Sequence, residues 1–245
     1  MKKIIVLIGL AVIMSACVKT TEPRRFSILG DSYSAIEGYV DPETNDPWVH
    51  YADVGVTVEQ MWWKKVADST GWLLDRNNSF SGALICNSQD FQNGSHYGPN
   101  SFIRRMNNLG NPDVIFVFGA TNDACVHDDE SNPVVPLGDY VYKDWTEEQL
   151  CTFRPACAYL FANLQSLYPK AKIYFLLDMD LGSGGINVER RDAFIESIHN
   201  ICNHYNVNCI DLYYVHKIMW HPGAEGQKDI ADQVLEYLAS EGFNV

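Results

Sequence analysis

Apolar, largely β-branched or aromatic runs recur along the chain at Phe26–Leu29, Val114–Phe118, Ile173–Leu177 and Val207–Ile210, with a weaker run at Asn78–Phe80. Short runs of this kind, bounded by Gly, Asn and Asp, read as strands, and hydrophobicity that is continuous rather than alternating implies burial on both faces. Between them the apolar positions take a helical period over Val58–Ser69, Ser101–Asn108, Glu147–Tyr168, Glu189–Tyr205 and Ala224–Ala239. Thr146 and Gln149 have the spacing of a capping box, and Pro155 is expected to kink or divide the helix that follows. Single strands alternating with single helices predict an α/β fold, a three-layer α/β/α sandwich around a five-stranded parallel sheet.

The N-terminus departs from this pattern. Lys2 and Lys3 precede the apolar run Ile4–Met14, which is followed by Ser15, Ala16 and Cys17. A basic start, a short apolar stretch and a small-residue cleavage site predict a signal peptide over residues 1–16; a membrane span needs roughly 20 apolar residues. Met14-Ser15-Ala16-Cys17 also resembles a bacterial lipobox, which implies cleavage before Cys17 and lipidation of its thiol. Residues 17–25 are then a lipidated tether and 26–245 one domain, since nothing within them reads as a linker or repeat. The expected location is the bacterial cell envelope, with membrane contact only through the anchor. The net charge of −13 becomes −15 once the two leader lysines are removed. Such a surface repels phosphate backbones, so a nucleic-acid partner is not expected.

Besides Cys17 the chain has Cys86, Cys125, Cys151, Cys157, Cys202 and Cys209. An exported chain permits disulfides, although spacing alone does not fix their connectivity. A Cys86–Cys125 bridge is expected because both cysteines lie just downstream of candidate active-site segments. There is no Cys-x-x-Cys, His199 and His204 fall off the i, i+4 spacing on a predicted helix, and His127-Asp128-Asp129-Glu130 reads as a solvated acidic loop. Neither a metal nor a cofactor is expected.

In sheets of this type ligands sit beyond the carboxyl ends of the strands. The first strand is followed by Gly30-Asp31-Ser32-Tyr33-Ser34, the weak second by Ser81-Gly82, the third by Gly119-Ala120-Thr121-Asn122-Asp123, and the last, after a short segment, by His221-Pro222. A serine hydroxyl is a weak nucleophile until a base takes its proton, and a carbonyl under attack needs donors aimed at the developing oxyanion. Ser32 as nucleophile, His221 as base, and the Ser32 and Gly82 N–H groups with the Asn122 amide as oxyanion donors would supply both. His216 is the rival base.

These four ordered blocks resemble those of the SGNH hydrolase family, also called GDSL-like, with Gly226, Ile230 and Ala231 completing the last block. The resemblance implies the same roles for Ser32, Gly82, Asn122 and His221, a flavodoxin-like fold and no cofactor. One position departs from the family pattern. The Asp usually found three residues before the histidine is Ile218 here. A Ser–His dyad with a backbone carbonyl on the imidazole is the favoured reading, with an acid from elsewhere or a weakened catalyst as alternatives; Asp211 is the nearest upstream carboxylate.

Two long segments follow the first and third blocks, one carrying Tyr39, Trp48, His50 and Tyr51, the other Tyr140, Tyr142 and Trp145. Aromatic loops at a catalytic edge suit sugar rings, and neither segment reads as an apolar lid. The expected function is therefore removal of acyl groups, chiefly acetyl, from an extracytoplasmic carbohydrate, so the partner is an acylated glycan or other small ester. The alternatives are a lipid or lysophospholipid esterase using the same residues, and a non-catalytic glycan-binding lipoprotein on a degenerate fold.

Overall fold

A computed structural model describes residues 22–35, 39–40, 47–48, 55–87, 100–125, 135–181 and 187–245. The signal segment, Cys17, His50, Tyr51 and the acidic run His127–Glu130 lie outside the described residues. In chain order the elements are β1 (Arg25–Gly30), β2 (Tyr39–Val40), β3 (Pro47–Trp48), α1 (Trp62–Thr70), β4 (Leu73–Ser79), α2 (Phe102–Arg105), β5 (Val114–Phe118), α3 (Thr121–Ala124), α4 (Phe153–Leu167), β6 (Lys172–Asp178), α5 (Val188–Tyr205), β7 (Asn208–Leu212), β8 (Lys217–Ile218), β9 (His221–Pro222) and α6 (Ala224–Ser240).

The main sheet has five strands in the order β4-β1-β5-β6-β7, and every pairing is parallel. The three-layer α/β/α sandwich expected from the alternation of strands and helices is present. All five residues of β5 are buried, and they divide by the two-residue period of a strand. Val114, Phe116 and Phe118 pack toward α1 and α6 with Trp62, Ile230 and Val234. Ile115 and Val117 pack toward α4 and α5 with Leu160, Phe161 and Ile198. Fully burying side chains of this size contributes about 1.5–3 kcal/mol each, so this central strand holds both helical layers to the sheet.

The boundaries differ from expectation where packing or proline overrides periodicity. The weak second strand extends N-terminally to Leu73, because the polar run Asp75–Asn77 lies on an edge strand that is only partly buried. Pro155 neither kinks nor interrupts α4. It occupies the first turn, where its missing N–H costs nothing. Thr146 and Gln149 do exchange side-chain and backbone hydrogen bonds at 3.3 and 3.0 Å, but they close a turn that leads into a short 3₁₀ turn at Gln149–Cys151, ahead of α4.

Strand order reverses between β1 and β5, because β1 leads outward to β4 while β5 leads the other way to β6. At such a switch point the connections leaving two adjacent carboxyl ends diverge and open a crevice. Ser32 follows β1 and Asn122 follows β5, so they flank that point.

Candidate active site

The turn after β1 starts with Gly30, where a Cβ would lie 2.6 Å from Ser79 Oγ and 2.9 Å from Ser34 Cβ; only glycine fits. The Ser34 and Ala35 N–H groups both donate to Asp31 O at 3.2 Å, closing the turn around Ser32. Neighbouring elements fix it in place. Trp62 Nε1 donates to Ser34 Oγ at 3.1 Å and Trp63 Nε1 to Ser34 O at 3.2 Å. Gln227 of α6 donates to Tyr33 O at 3.1 Å and accepts from Trp62 N at 2.9 Å. Arg105, buried, donates to the carbonyls of Gly30, Asn78 and Asn100, tying together the ends of β1 and β4.

His221 reaches this turn from a small hairpin. β8 and β9 pair antiparallel, with Ile218 opposite His221 and Lys217 opposite Pro222. His221 Nε2 lies 3.1 Å from Ser32 Oγ, within the range for proton transfer between base and nucleophile. The Tyr33 ring meets the imidazole edge to face at 6.0 Å between centroids, and Tyr33 Oη donates to Trp220 O at 3.1 Å. Lys217 Nζ lies 2.7 Å from Asp178 Oδ2 in an ion pair whose side chains are 5% and 1% exposed, and it donates to Asp180 O at 3.0 Å. The hairpin is thereby tied to the carboxyl end of β6. Gly226 lets α6 approach closely, since a Cβ there would overlap His216 O at 1.9 Å.

Gly82 and Asn122 come from two further loops. Gly82 sits at φ 75, a left-handed conformation that favours glycine. Ala120 takes φ 79 immediately before α3, a strained conformation for a residue with a side chain, at the turn that presents Asn122. Asn122 Nδ2 donates to Ala83 O at 3.1 Å and lies 3.4 Å from Asp31 Oδ2, so its amide links the loop of Gly82 to the turn of Ser32. The neighbouring Asp123 carboxylate accepts from Ile85 N at 2.9 Å and Cys86 N at 3.3 Å and fixes that same loop from below.

Burial pushes the Asp31 carboxyl up to about 7 and that of Asp123 up to about 6. The unfolded chain holds both at an ordinary 3.8, so the native state binds protons more tightly in between. The stabilising contribution is complete below about pH 4 and is lost as pH rises through 6 and 7. Asp31→Asn removes one of these ionisations. Urea unfolding of both proteins from about pH 4 to about pH 8 should show the unmodified chain losing up to roughly 4 kcal/mol relative to the variant. Parallel profiles would show that Asp31 does not ionise in this range.

Several sequence expectations need correction. Cys86 and Cys125 are not bridged; the Cys86 thiol is hydrogen-bonded to Asp123 in the interior. Asp211 does not serve His221. In β7, Ile210 and Leu212 face the α1–α6 layer, which turns Asp211 the other way, where its carboxylate meets His199 Nε2 at 2.9 Å. His216, the rival base, is turned outward and bonded through Nδ1 to Asp229 at 2.6 Å. The aromatics of residues 140–145 anchor their own segment. Tyr142 stacks on His204 of α5 at 3.8 Å, and Trp145 meets Tyr159 of α4 at 5.2 Å. Tyr39 and Trp48 are backbone register partners across β2 and β3. In the other direction, Tyr214, Ile218, Met219 and Trp220, which the hydrophobic pattern did not single out, are exposed around the hairpin that carries His221.

A family profile described as GDSL-like lipase/acylhydrolase matches residues 24–238. Similar solved structures include two proteins described as GDSL-like lipases. One, from Bacteroides ovatus, is 43% identical with TM-score 0.74 over 90% of this chain and 100% of its own. The other, from Bacteroides uniformis, is 36% identical with TM-score 0.73 over 89% of this chain and 96% of its own. A carbohydrate acetylesterase from Sinorhizobium meliloti shares the fold at 14% identity, with TM-score 0.57 over 89% of this chain and 99% of its own. No curated protein sequence matches.

Proposed function

Because the chain belongs to the GDSL-like lipase/acylhydrolase family, the SGNH hydrolases, we propose that it is a serine esterase that removes acyl groups, chiefly acetyl, from an extracytoplasmic carbohydrate. The observation that carries the reading is the 3.1 Å contact between Ser32 Oγ and His221 Nε2 at the switch point of the sheet. His221 takes the hydroxyl proton as Ser32 Oγ attacks the ester carbonyl. The tetrahedral oxyanion is held by the N–H groups of Ser32 and Gly82 and by the Asn122 amide. Each such donor lowers the barrier by on the order of 3 kcal/mol. The protonated His221 then gives its proton to the sugar oxygen as the ester C–O bond breaks, which frees the sugar hydroxyl and leaves the acyl group on Ser32. Water attacks that acyl-enzyme with His221 again as base, releasing the carboxylic acid and free Ser32.

The half-exposed indole of Trp220, next in sequence to the base, supports a sugar substrate by offering a flat apolar face on the hairpin that carries His221. Export, and attachment to a lipid through Cys17, belong to the same proposal and rest on the leader Met1–Ala16. A second reading draws on the apolar character of that hairpin. Ile218 and Met219, 51% and 80% exposed, would suit a longer acyl chain and hence a lipid ester.

Initial rates on an acetylated oligosaccharide, on 4-nitrophenyl acetate and on 4-nitrophenyl palmitate separate these readings, with Ser32→Ala as the blank. The highest kcat/KM is expected on the acetylated oligosaccharide. A preference for palmitate would establish the lipid reading instead, and rates equal to the blank on all three would overturn the enzymatic one.

A further inference from the structure

Away from the catalytic edge, His199, Cys202, Cys209 and Asp211 converge between α5 and β7. His199 and Cys202 are three apart on α5 and so share one helix face, while Cys209 and Asp211 alternate onto one face of β7. The connection is tight. Asn206 takes the left-handed conformation at φ 52, and Val207 N donates to Cys202 O at 2.9 Å, which folds the strand back along the helix. His199 Nε2, Cys209 Sγ and an Asp211 carboxylate oxygen all lie within 4.8 Å of one another. The Cys202 thiol is within hydrogen-bonding reach of Cys209.

We propose that these residues form a zinc site, with His199 Nε2, Cys209 Sγ and Asp211 as ligands and Cys202 Sγ as the fourth donor. One imidazole, a carboxylate and two thiolates are donors that zinc prefers, and two elements joined by a short turn are enough to surround it. Tetrahedral ligands at about 2.0–2.3 Å from the ion stand about 3.5 Å apart. The His199–Asp211 and Cys209–Asp211 separations are 2.9 and 3.6 Å, so small rotations suffice for these three ligands. The ion's two positive charges meet the Asp211 carboxylate and the Cys209 thiolate, with the second thiolate leaving a single negative charge. Each thiol that binds gives its proton to solvent.

The ion has an entry path, because the His199 and Asp211 side chains are 36% and 28% exposed and His199 lines a surface groove with Glu196 and Asn200. An ordinary His–Asp surface pair would account for two of the four groups. It leaves Cys209, whose thiol lies within 4.8 Å of both, without a purpose. No ligand motif marks the site in the sequence, because its members are divided between a helix and a strand.

The test uses the full chain, reduced and stripped with chelator, then titrated with zinc chloride. Bound zinc is measured by elemental analysis after desalting, and cobalt(II) is used in parallel to detect the thiolate charge-transfer absorption. One zinc per chain and a raised Tm are expected. Cys209→Ser and His199→Ala should each weaken binding by about 100-fold or more while keeping the zinc-free Tm, and Cys151→Ser, a thiol elsewhere, should change neither. Zinc uptake equal in Cys209→Ser and the unmodified chain, or no stoichiometric uptake, overturns the proposal. So does a Cys202–Cys209 disulfide in the chain as purified, since oxidation would consume two of the ligands.

Discussion

Ser32→Ala is expected to lower kcat on any ester the protein hydrolyses by about 10⁴–10⁶, with KM nearly unchanged. The substitution deletes the attacking oxygen and leaves the surrounding frame intact, because the hydrogen bonds that build the turn run through the Asp31, Tyr33 and Ser34 backbone and the Ser34 side chain. His221→Ala should cost a comparable factor, since Ser32 Oγ then has no base at 3.1 Å to accept its proton. Nucleophile and base act as one unit, so the double variant should be little worse than either single one. Steady-state rates on 4-nitrophenyl acetate measure all three. Mass spectrometry of a rapidly quenched reaction should find the acyl group on Ser32 in the unmodified protein only. His216→Ala provides the counter-test. Its ring is turned out toward Asp229, so kcat should not change, and loss of activity there with retention in His221→Ala would reverse the assignment of the base.

What the sequence disclosed and what it withheld have physical reasons. β5 was legible because a strand buried on both faces must be apolar at every position, as Val114–Phe118 is. β4 was not, because an edge strand needs few apolar residues, and Leu73–Ser79 carries Asp75, Arg76, Asn77 and Asn78 within it. The meeting of Ser32, Gly82, Asn122 and His221 at one edge was legible because each lies in a short motif that follows a strand. The groups that hold them have no such mark. Arg105 reaches Gly30 across 75 positions, and Lys217 reaches Asp178 across 39. Only the folded sheet brings these pairs together. Tyr142 and Trp145 misled for a related reason, because an aromatic side chain reads alike whether it lines a cleft or covers a helix.

Lys217→Met should have the second large effect, and it bears on the question raised by Ile218. With no carboxylate three positions before His221, the histidine depends on the hairpin that carries it, and the hairpin depends on Lys217. The ammonium group sits against Asp178, donates to Asp180 O and lies 5.8 Å from the centre of the Tyr33 ring, the ring that packs on the imidazole. Removing it leaves Asp178 as a buried, uncompensated charge, which costs about 3–5 kcal/mol of stability. It also frees the hairpin, so kcat should fall by roughly 10–100-fold, the penalty typical of a misplaced catalytic group, with little change in KM. Stability and positioning are then separable. In Lys217→Met with Asp178→Leu the buried charge is gone and the urea midpoint should return close to its original value. Turnover should stay low, because the hydrogen bond to Asp180 O and the cation beside Tyr33 have not been restored. Lys217→Arg, which keeps the charge and the donors, should recover part of kcat. If the double variant instead regains full turnover, the pair serves only stability, and the contacts of Tyr33 with the Trp220 carbonyl and the imidazole are sufficient to aim His221 at Ser32.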